Sequence, residues 1–271
     1  MADATGFHLK GSAPERYEHY VAPLMAPFVT ALVDAVDLFP GASVLDLACG
    51  TGFAARTAAA RVGPTGRVTG TDINEAMLKV AVARHPRLYP DIEFTAAPAD
   101  ALPYPDASFD AVVCQQGAQF FPDLAAALTE TARVLRPGGH LAATVWASRD
   151  LSPYFVAQYE AIAEQAGPAI AAGYTTAFAC TAHTFTAAVR AVGFHEVTAR
   201  EITFGIALPP LAEYAPAHLS AIPWGQAVVD THGYEALTAT GRAICERLAD
   251  RTAPDGRATL PFTATLLTAI R

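Results

Sequence analysis

Seven consecutive residues, Asp46-Leu47-Ala48-Cys49-Gly50-Thr51-Gly52, join an acid to a glycine turn. Glycine lets a backbone approach a ligand closely, with no Cβ in the way. Gly50-x-Gly52-x-x-Ala55 also fits a dinucleotide fingerprint, and Asp72 lies about 20 residues on, where that fingerprint has its ribose acid. The turn alone therefore leaves two ligands open, a nicotinamide dinucleotide and S-adenosyl-L-methionine. Asp46 separates them. A dinucleotide sets its pyrophosphate at the N-terminus of the helix after the turn, and an acid four residues before the first turn glycine opposes that anion. S-adenosylmethionine has no phosphate; it carries a sulfonium and an amino group that an acid favours.

These residues must be held by strands and helices that the pattern supplies. Leu24, Phe28, Leu32 and Val36 recur at steps of four within a mostly helical stretch, 14–39. After Pro40-Gly41, Ser43 to Leu47 reads as a short buried strand, and Phe53 to Val62 as a helix stopped by Gly63-Pro64. Strands are expected at 67–71, 92–95, 109–114 and 140–146. Asn74 is placed to cap a helix running to His85, and Asp123 one running to Val134. Strands alternating with helices imply a parallel sheet covered on both faces. Beyond Trp146 the rhythm changes. Helices are expected at 153–165, 186–192 and near 234–249, strands at 195–208 and 260–270, and a less regular stretch around Pro209, Pro210, Pro216 and Pro223.

Three further motifs follow in order: Pro98-Ala99-Asp100-Ala101-Leu102-Pro103, then Ser108-Phe109-Asp110-Ala111-Val112-Val113, then Leu135-Arg136-Pro137-Gly138-Gly139. With the turn and Asp72 they make the sequence resemble the class I S-adenosylmethionine-dependent methyltransferases, which include ubiquinone and menaquinone biosynthesis enzymes. The likeness covers about residues 14–147. Ala48 departs from it, since many relatives have glycine there. The resemblance implies an α/β, Rossmann-like, seven-stranded, mostly parallel sheet with helices on both faces and a partly helical substrate cap. Residues 195–208 and 260–270 would be its sixth and seventh strands, one of them antiparallel. One domain over 1–271 is expected: a cofactor-binding core at 14–147, cap segments at 148–193 and 209–258, and the last two strands within 194–208 and 259–271.

The resemblance also assigns roles. Ala48, Gly50 and Gly52 would line the methionine part of the cofactor, near Asp46. Asp72 would accept from both ribose hydroxyls, Ile73 and Met77 would pack on the adenine, Asp100 would accept from its amino group, and Ala101 would lie beside the ring. Gln115 would meet the amino end. The helix before the sheet would fold over that end, and Tyr17 and Tyr20 share one of its faces; Tyr20 is the expected contact with the cofactor carboxylate.

Methyl transfer asks mainly for alignment, with a base for some acceptors. The sequence singles out no base; His183, His218 and Gln119 are the candidates for work on the acceptor. Tyr154, Phe155, Tyr159, Tyr174, Phe178, Phe185, Tyr214 and Trp224 suggest an apolar pocket, hence an aromatic or lipophilic small-molecule acceptor, quinone-like or a natural-product scaffold. The alternatives are a cyclase or other non-methylating reaction on the same fold, or a nicotinamide-dependent oxidoreductase. A net charge of −8 disfavours nucleic acid as a partner. No apolar run is long enough to insert in a membrane, and no leader is visible, so a cytoplasmic location is expected. Cys49, Cys114, Cys180 and Cys245 are dispersed, so neither a metal nor a disulfide framework is expected. The oligomeric state is not legible.

Overall fold

The computed structural model describes residues 9–84 and 91–271. The elements run α1 (Ala13–Tyr20), α2 (Ala22–Asp34), β1 (Ser43–Leu47), α3 (Phe53–Val62), β2 (Arg67–Asp72), α4 (Glu75–Arg84), β3 (Ile92–Ala96), β4 (Phe109–Gln115), α5 (Leu124–Val134) and β5 (Leu135–Trp146). They continue with α6 (Pro153–Ala166), α7 (Pro168–Tyr174), α8 (Ala182–Ala191), β6 (His195–Leu208), α9 (Leu211–Ser220), α10 (Pro223–Arg247) and β7 (Ala258–Ile270). Short 3₁₀ turns lie between some of them.

The seven strands form one sheet in the order β3-β2-β1-β4-β5-β7-β6. β1 pairs in parallel with β2 and β4, β2 with β3, and β4 with β5. β7 runs the other way. Its Arg271 exchanges backbone hydrogen bonds with Gly138 and Gly139, whereas Thr263 accepts from Ala147. Hydroxyl pairs Thr198–Thr268 and Thr203–Thr263 fix the same antiparallel sense against β6. This is the mostly parallel, Rossmann-like sheet with one reversed strand that the resemblance implies.

Local chemistry sets the element ends. β1, SVLDL, is buried from Val44 onward, as a strand covered on both faces must be. Asn74 Oδ1 accepts from Ala76 N–H at 3.0 Å, and Asp123 Oδ1 from Ala126 N–H at 2.9 Å, so both expected caps are present. The expected helix end at His85 lies outside the described residues. Pro137-Gly138-Gly139 bulges out within β5, where the register against β4 jumps from Leu135 to His140.

The helices differ from the sequence reading in two places. The mostly helical stretch expected at 14–39 is two helices, parted at Val21. The stretch read as irregular is helical: α9 contains Pro216, and α10 begins at Pro223 and kinks at Gly233, with φ 81°. Proline costs nothing at a helix start, where its missing N–H has no partner to lose. Pro216 packs against α10 at Gly241, where an added Cβ would lie 2.9 Å from the proline ring.

The chain divides into two compact units. One, the sheet unit, comprises Ala26–Val145, Cys180–Ile202 and Ala264–Arg271; the other, the helical unit, comprises Met1–Met25, Trp146–Ala179 and Thr203–Thr263. The core of the sheet unit gathers Leu45, Leu47, Phe109, Val112, Leu128, Val145, Phe185 and Leu267 among others. Phe185 therefore belongs to this core and not with the cap aromatics. The helical unit has its own aromatic core. Tyr154 lies edge-on or tilted against Phe155, Tyr214 and Phe262, and Tyr174 against Phe178 and Trp224. Among the described residues no helix is long and apolar enough to cross a membrane.

Candidate cofactor site

The strand order reverses between β1 and β4, and ligands of open α/β sheets sit at the carboxyl ends of strands at such a point. Two loops start there: 48–52 after β1 and 116–119 after β4. Ala48, Gly50 and Gly52 have φ of 55°, 53° and 80°, so the turn is left-handed at three residues. It is tied to the neighbouring strand end, since Cys49 N–H donates to Thr71 O at 2.9 Å. At Gly52 an added Cβ would meet the Phe94 ring at 2.9 Å, and at Gly50 the Met77 methyl at 3.2 Å. A side chain at Gly52 would thus be strained by φ and crowded by the Phe94 ring, whereas at Gly50 the Met77 tip would have to give way.

Asp72 closes β2 and organises the turn. One carboxylate oxygen accepts from Gly50 N–H at 2.8 Å and the other from Asn74 N–H at 2.8 Å. Ile73, next in sequence, is exposed, whereas Met77 is buried on α4.

Asp46 is fully buried. Its Oδ2 accepts from Ala55 N–H at 2.7 Å, which makes it a cap for α3 from the adjacent strand. Its Oδ1 has no hydrogen-bond partner. Burial pushes this carboxyl up to about 7; the Ala55 N–H opposes the shift, Asp72 adds to it, and Arg56 opposes it. The N-terminus of α3, where a dinucleotide would lay its pyrophosphate, is thus already held by an acid. An unpartnered buried carboxylate oxygen beside a glycine cradle instead suits a cationic ligand group.

Asp100 and Ala101 lie exposed in the loop after β3. Arg133 of α5 holds this loop: it donates to Leu102 O at 2.9 Å and Tyr104 O at 2.7 Å, and Glu130 accepts from Leu102 N–H at 2.9 Å. Arg133 and Glu130 also bond each other at 2.7 Å. The sequence reading gave this pair no role. Arg133→Leu is expected to free the loop and to weaken S-adenosylhomocysteine binding about tenfold, as removal of one well-made charged hydrogen bond would, with the sheet intact. Calorimetry beside circular dichroism checks this.

Ala48 and Gly117 face each other closely: a Cβ on Gly117 would lie 2.6 Å from that of Ala48 and 3.1 Å from Cys114 Sγ. The alanine that departs from the usual glycine is thus matched by a glycine opposite. Gly117→Ala is expected to cost about 1–3 kcal/mol by overpacking, and Ala48→Gly in the same chain to recover part of it. Thermal denaturation of the single and double variants measures the coupling; strictly additive losses would refute the pairing.

Gln115 and Gln119, both predicted site residues, are half-buried in the turn after β4, and Gln116 between them is buried. His183 is exposed on α8. His218 lies in the helical unit, buried against Tyr154 and Tyr214, and its Nδ1 meets Gln158 Nε2 at 3.3 Å. Burial holds it down to about 4, so it is neutral. Tyr20 is in the same unit; its carbonyl accepts from the Tyr214 hydroxyl at 3.0 Å and its ring stacks edge-on against His19. The structure thus brings Asp46, Ala48, Gly50, Gly52, Asp72, Met77 and Gln115 together in the sheet unit, with Asp100 and Ala101 in a loop of that unit. Among the described residues no three His, Cys, Asp or Glu side chains are grouped to hold a metal.

Residues 44–139, which contain this turn and both acids, match the family model described as a methyltransferase domain. Over that segment the chain is similar to known methyltransferases. The chain is 47% identical over 113 residues to the ubiquinone/menaquinone biosynthesis C-methyltransferase UbiE of Hahella chejuensis, covering 40% of this chain and 45% of that protein. A second such enzyme, from Hydrogenovibrio crunogenus, is 44% identical over 104 residues, or 38% of this chain and 41% of its own. The chain thus spans less than half the length of these curated relatives. In fold it is similar to the [4+2]-cyclase SpnF, with a TM-score of 0.56 and 21% identity over 100% of this chain and 88% of that one.

Proposed function

We propose that the chain transfers a methyl group from S-adenosylmethionine to a small, aromatic or lipophilic acceptor. The observation that carries this is the pairing of Asp46, buried with one carboxylate oxygen unpartnered, with Asp72 at the next strand end, both within the matched methyltransferase domain. The residues fit the cofactor. Asp46 favours its cationic end, the left-handed turn at 48–52 admits its backbone-close passage, and Asp72 supplies a carboxylate at the next strand end for the two ribose hydroxyls. Ile73 offers an exposed apolar side chain for the adenine, and Asp100 an acceptor for its amino group. Bound S-adenosylmethionine supplies a methyl carbon on sulfonium that leaves a neutral thioether, so no acid is required. The chain's contribution is then alignment and exclusion of water.

The acceptor class is supported by the quinone C-methyltransferase relatives. The aromatics of the helical unit support it less than the sequence suggested, because Tyr154, Phe155, Tyr174 and Tyr214 are buried in that unit's own core. A second reading, a non-methylating reaction with the cofactor bound, is favoured by the fold likeness to a cyclase over the whole chain. Incubation with methyl-labelled S-adenosylmethionine and a panel of phenols, quinols and aromatic ketones tests the proposal. Label in an extractable product supports methyl transfer. Cofactor bound but never consumed, with an acceptor rearranged at constant mass, would favour the second reading.

A further inference from the structure

The turn after β4 holds two amides, Gln116 and Gln119, that the cofactor roles above do not absorb. Gln116 is buried and has φ 54°, a left-handed backbone that a non-glycine residue adopts at a cost. It is held there by Gln116 N–H donating to Thr144 O at 3.0 Å. Its Oε1 accepts from Gln119 Nε2 at 2.9 Å, which locks the two amides face to face. What remains is unmatched. Gln116 Nε2, Gln119 Oε1 and the neighbouring Gln115 Nε2 are all buried without a hydrogen-bond partner. Buried amide donors left unpaired each cost free energy, and a strained backbone that presents them points to a ligand. The cluster adjoins the cofactor turn, because Gly117 packs directly on Ala48.

We infer that Gln116 is a positioning residue for the methyl acceptor, its amide N–H holding an oxygen of that acceptor. This rests on the methyltransferase reading. It also narrows the substrate. Amides donate hydrogen bonds but cannot take up a proton at neutral pH. The hydrogen-bond partners of Gln116, the Thr144 carbonyl and the Gln119 amide, are not bases either. The acceptor this amide suits is one that is nucleophilic without a base at the held oxygen: a carbon or oxygen conjugated to that oxygen, as in an enol or an acidic phenol. In the step, the acceptor's electron pair forms the bond to the methyl carbon. The carbon–sulfur bond breaks with its pair on sulfur, giving S-adenosylhomocysteine, and the enol or phenol proton goes to water. An N–H on the conjugated oxygen favours the ionised form and fixes which atom faces the methyl group.

The test uses the full chain saturated with S-adenosylhomocysteine and two probes of one shape, 1-tetralone and tetralin, which differ by one carbonyl oxygen. The wild type is expected to bind 1-tetralone about tenfold more tightly than tetralin, the scale of one buried hydrogen bond. Gln116→Gly, which relieves the backbone strain and so should fold at least as well, is expected to erase that preference while binding S-adenosylhomocysteine within about twofold. Gln116→Asn keeps an amide and tolerates the left-handed backbone, so it should retain part of the preference. The inference is overturned if the wild type does not discriminate the probes or binds neither. It is also overturned if Gln116→Gly keeps the preference, or loses cofactor-product affinity instead, which would make the amide a cofactor contact. A wild type that does not bind S-adenosylhomocysteine at all would instead overturn the methyltransferase reading beneath it.

Discussion

Asp72→Ala is expected to weaken S-adenosylhomocysteine binding by about a hundredfold or more while the circular dichroism spectrum stays that of the wild type. Two ribose hydroxyls donating to one carboxylate make two charged hydrogen bonds, each worth about 1.5–3 kcal/mol, and every 1.4 kcal/mol is about tenfold in affinity. The same carboxylate ties Gly50 N–H and Asn74 N–H at 2.8 Å each, so its loss also loosens the turn proposed to carry the rest of the cofactor. Asp72→Asn keeps one acceptor oxygen and should fall between the two. An unchanged dissociation constant in a folded Asp72→Ala protein would remove Asp72 from the site.

The second large effect is a pH dependence centred on Asp46. Its folded value is about 7 against an ordinary 3.8, chiefly because burial disfavours the charge. Between those values the folded protein holds a proton that the unfolded chain has released. Stability contributed by this group is therefore greatest at low pH, falls as pH rises from about 4 to about 7, and is flat above; the total is on the order of 4 kcal/mol. Ligand binding runs the other way. A sulfonium favours the carboxylate form, so affinity for S-adenosylmethionine should rise with pH through about 7, with proton release on binding below it. S-adenosylhomocysteine, which lacks the sulfonium charge, should show a shallower rise. Asp46→Asn keeps an acceptor for Ala55 N–H and removes the titration. It should be more stable than the wild type at about pH 8 and lose about tenfold or more in S-adenosylmethionine affinity, with no pH dependence across that range. Calorimetry in buffers of different ionisation enthalpy counts the protons. A wild type whose S-adenosylmethionine affinity is level from about pH 6 to about pH 8 would contradict the role given to Asp46.

What could be read from the sequence depended on whether a residue's consequence was local. β1, α3, β6 and the caps at Asn74 and Asp123 coincide with expectation because short apolar runs, glycine stops and capping side chains act within a few residues. α9 was hidden because Pro209, Pro210, Pro216 and Pro223 read as breakers. Pro210 and Pro223 in fact stand at helix starts, and Pro216 is tolerated where Gly241 lets α10 close against it. The acids Asp46 and Asp72 were legible from their places at strand ends. That Asp46 has one oxygen spent on α3 and the other unpartnered was not, since both facts depend on where α3 returns over the sheet. Gln116 was passed over between Gln115 and Gln119 because nothing in residue type announces a left-handed glutamine. The following glycine, Gly117, is the only local sign. Whether an aromatic is core or pocket lining is likewise a tertiary property, and Phe185 was assigned to the wrong group for that reason.

The central claim is that the turn at 48–52 and the acids around it bind S-adenosylmethionine and not a dinucleotide. Isothermal titration of the full chain with S-adenosylhomocysteine, and separately with a reduced nicotinamide dinucleotide, tests it most directly. Saturable binding of S-adenosylhomocysteine at one site per chain is expected, and none of the dinucleotide. Saturable binding of the dinucleotide, with no heat from S-adenosylhomocysteine, would contradict it.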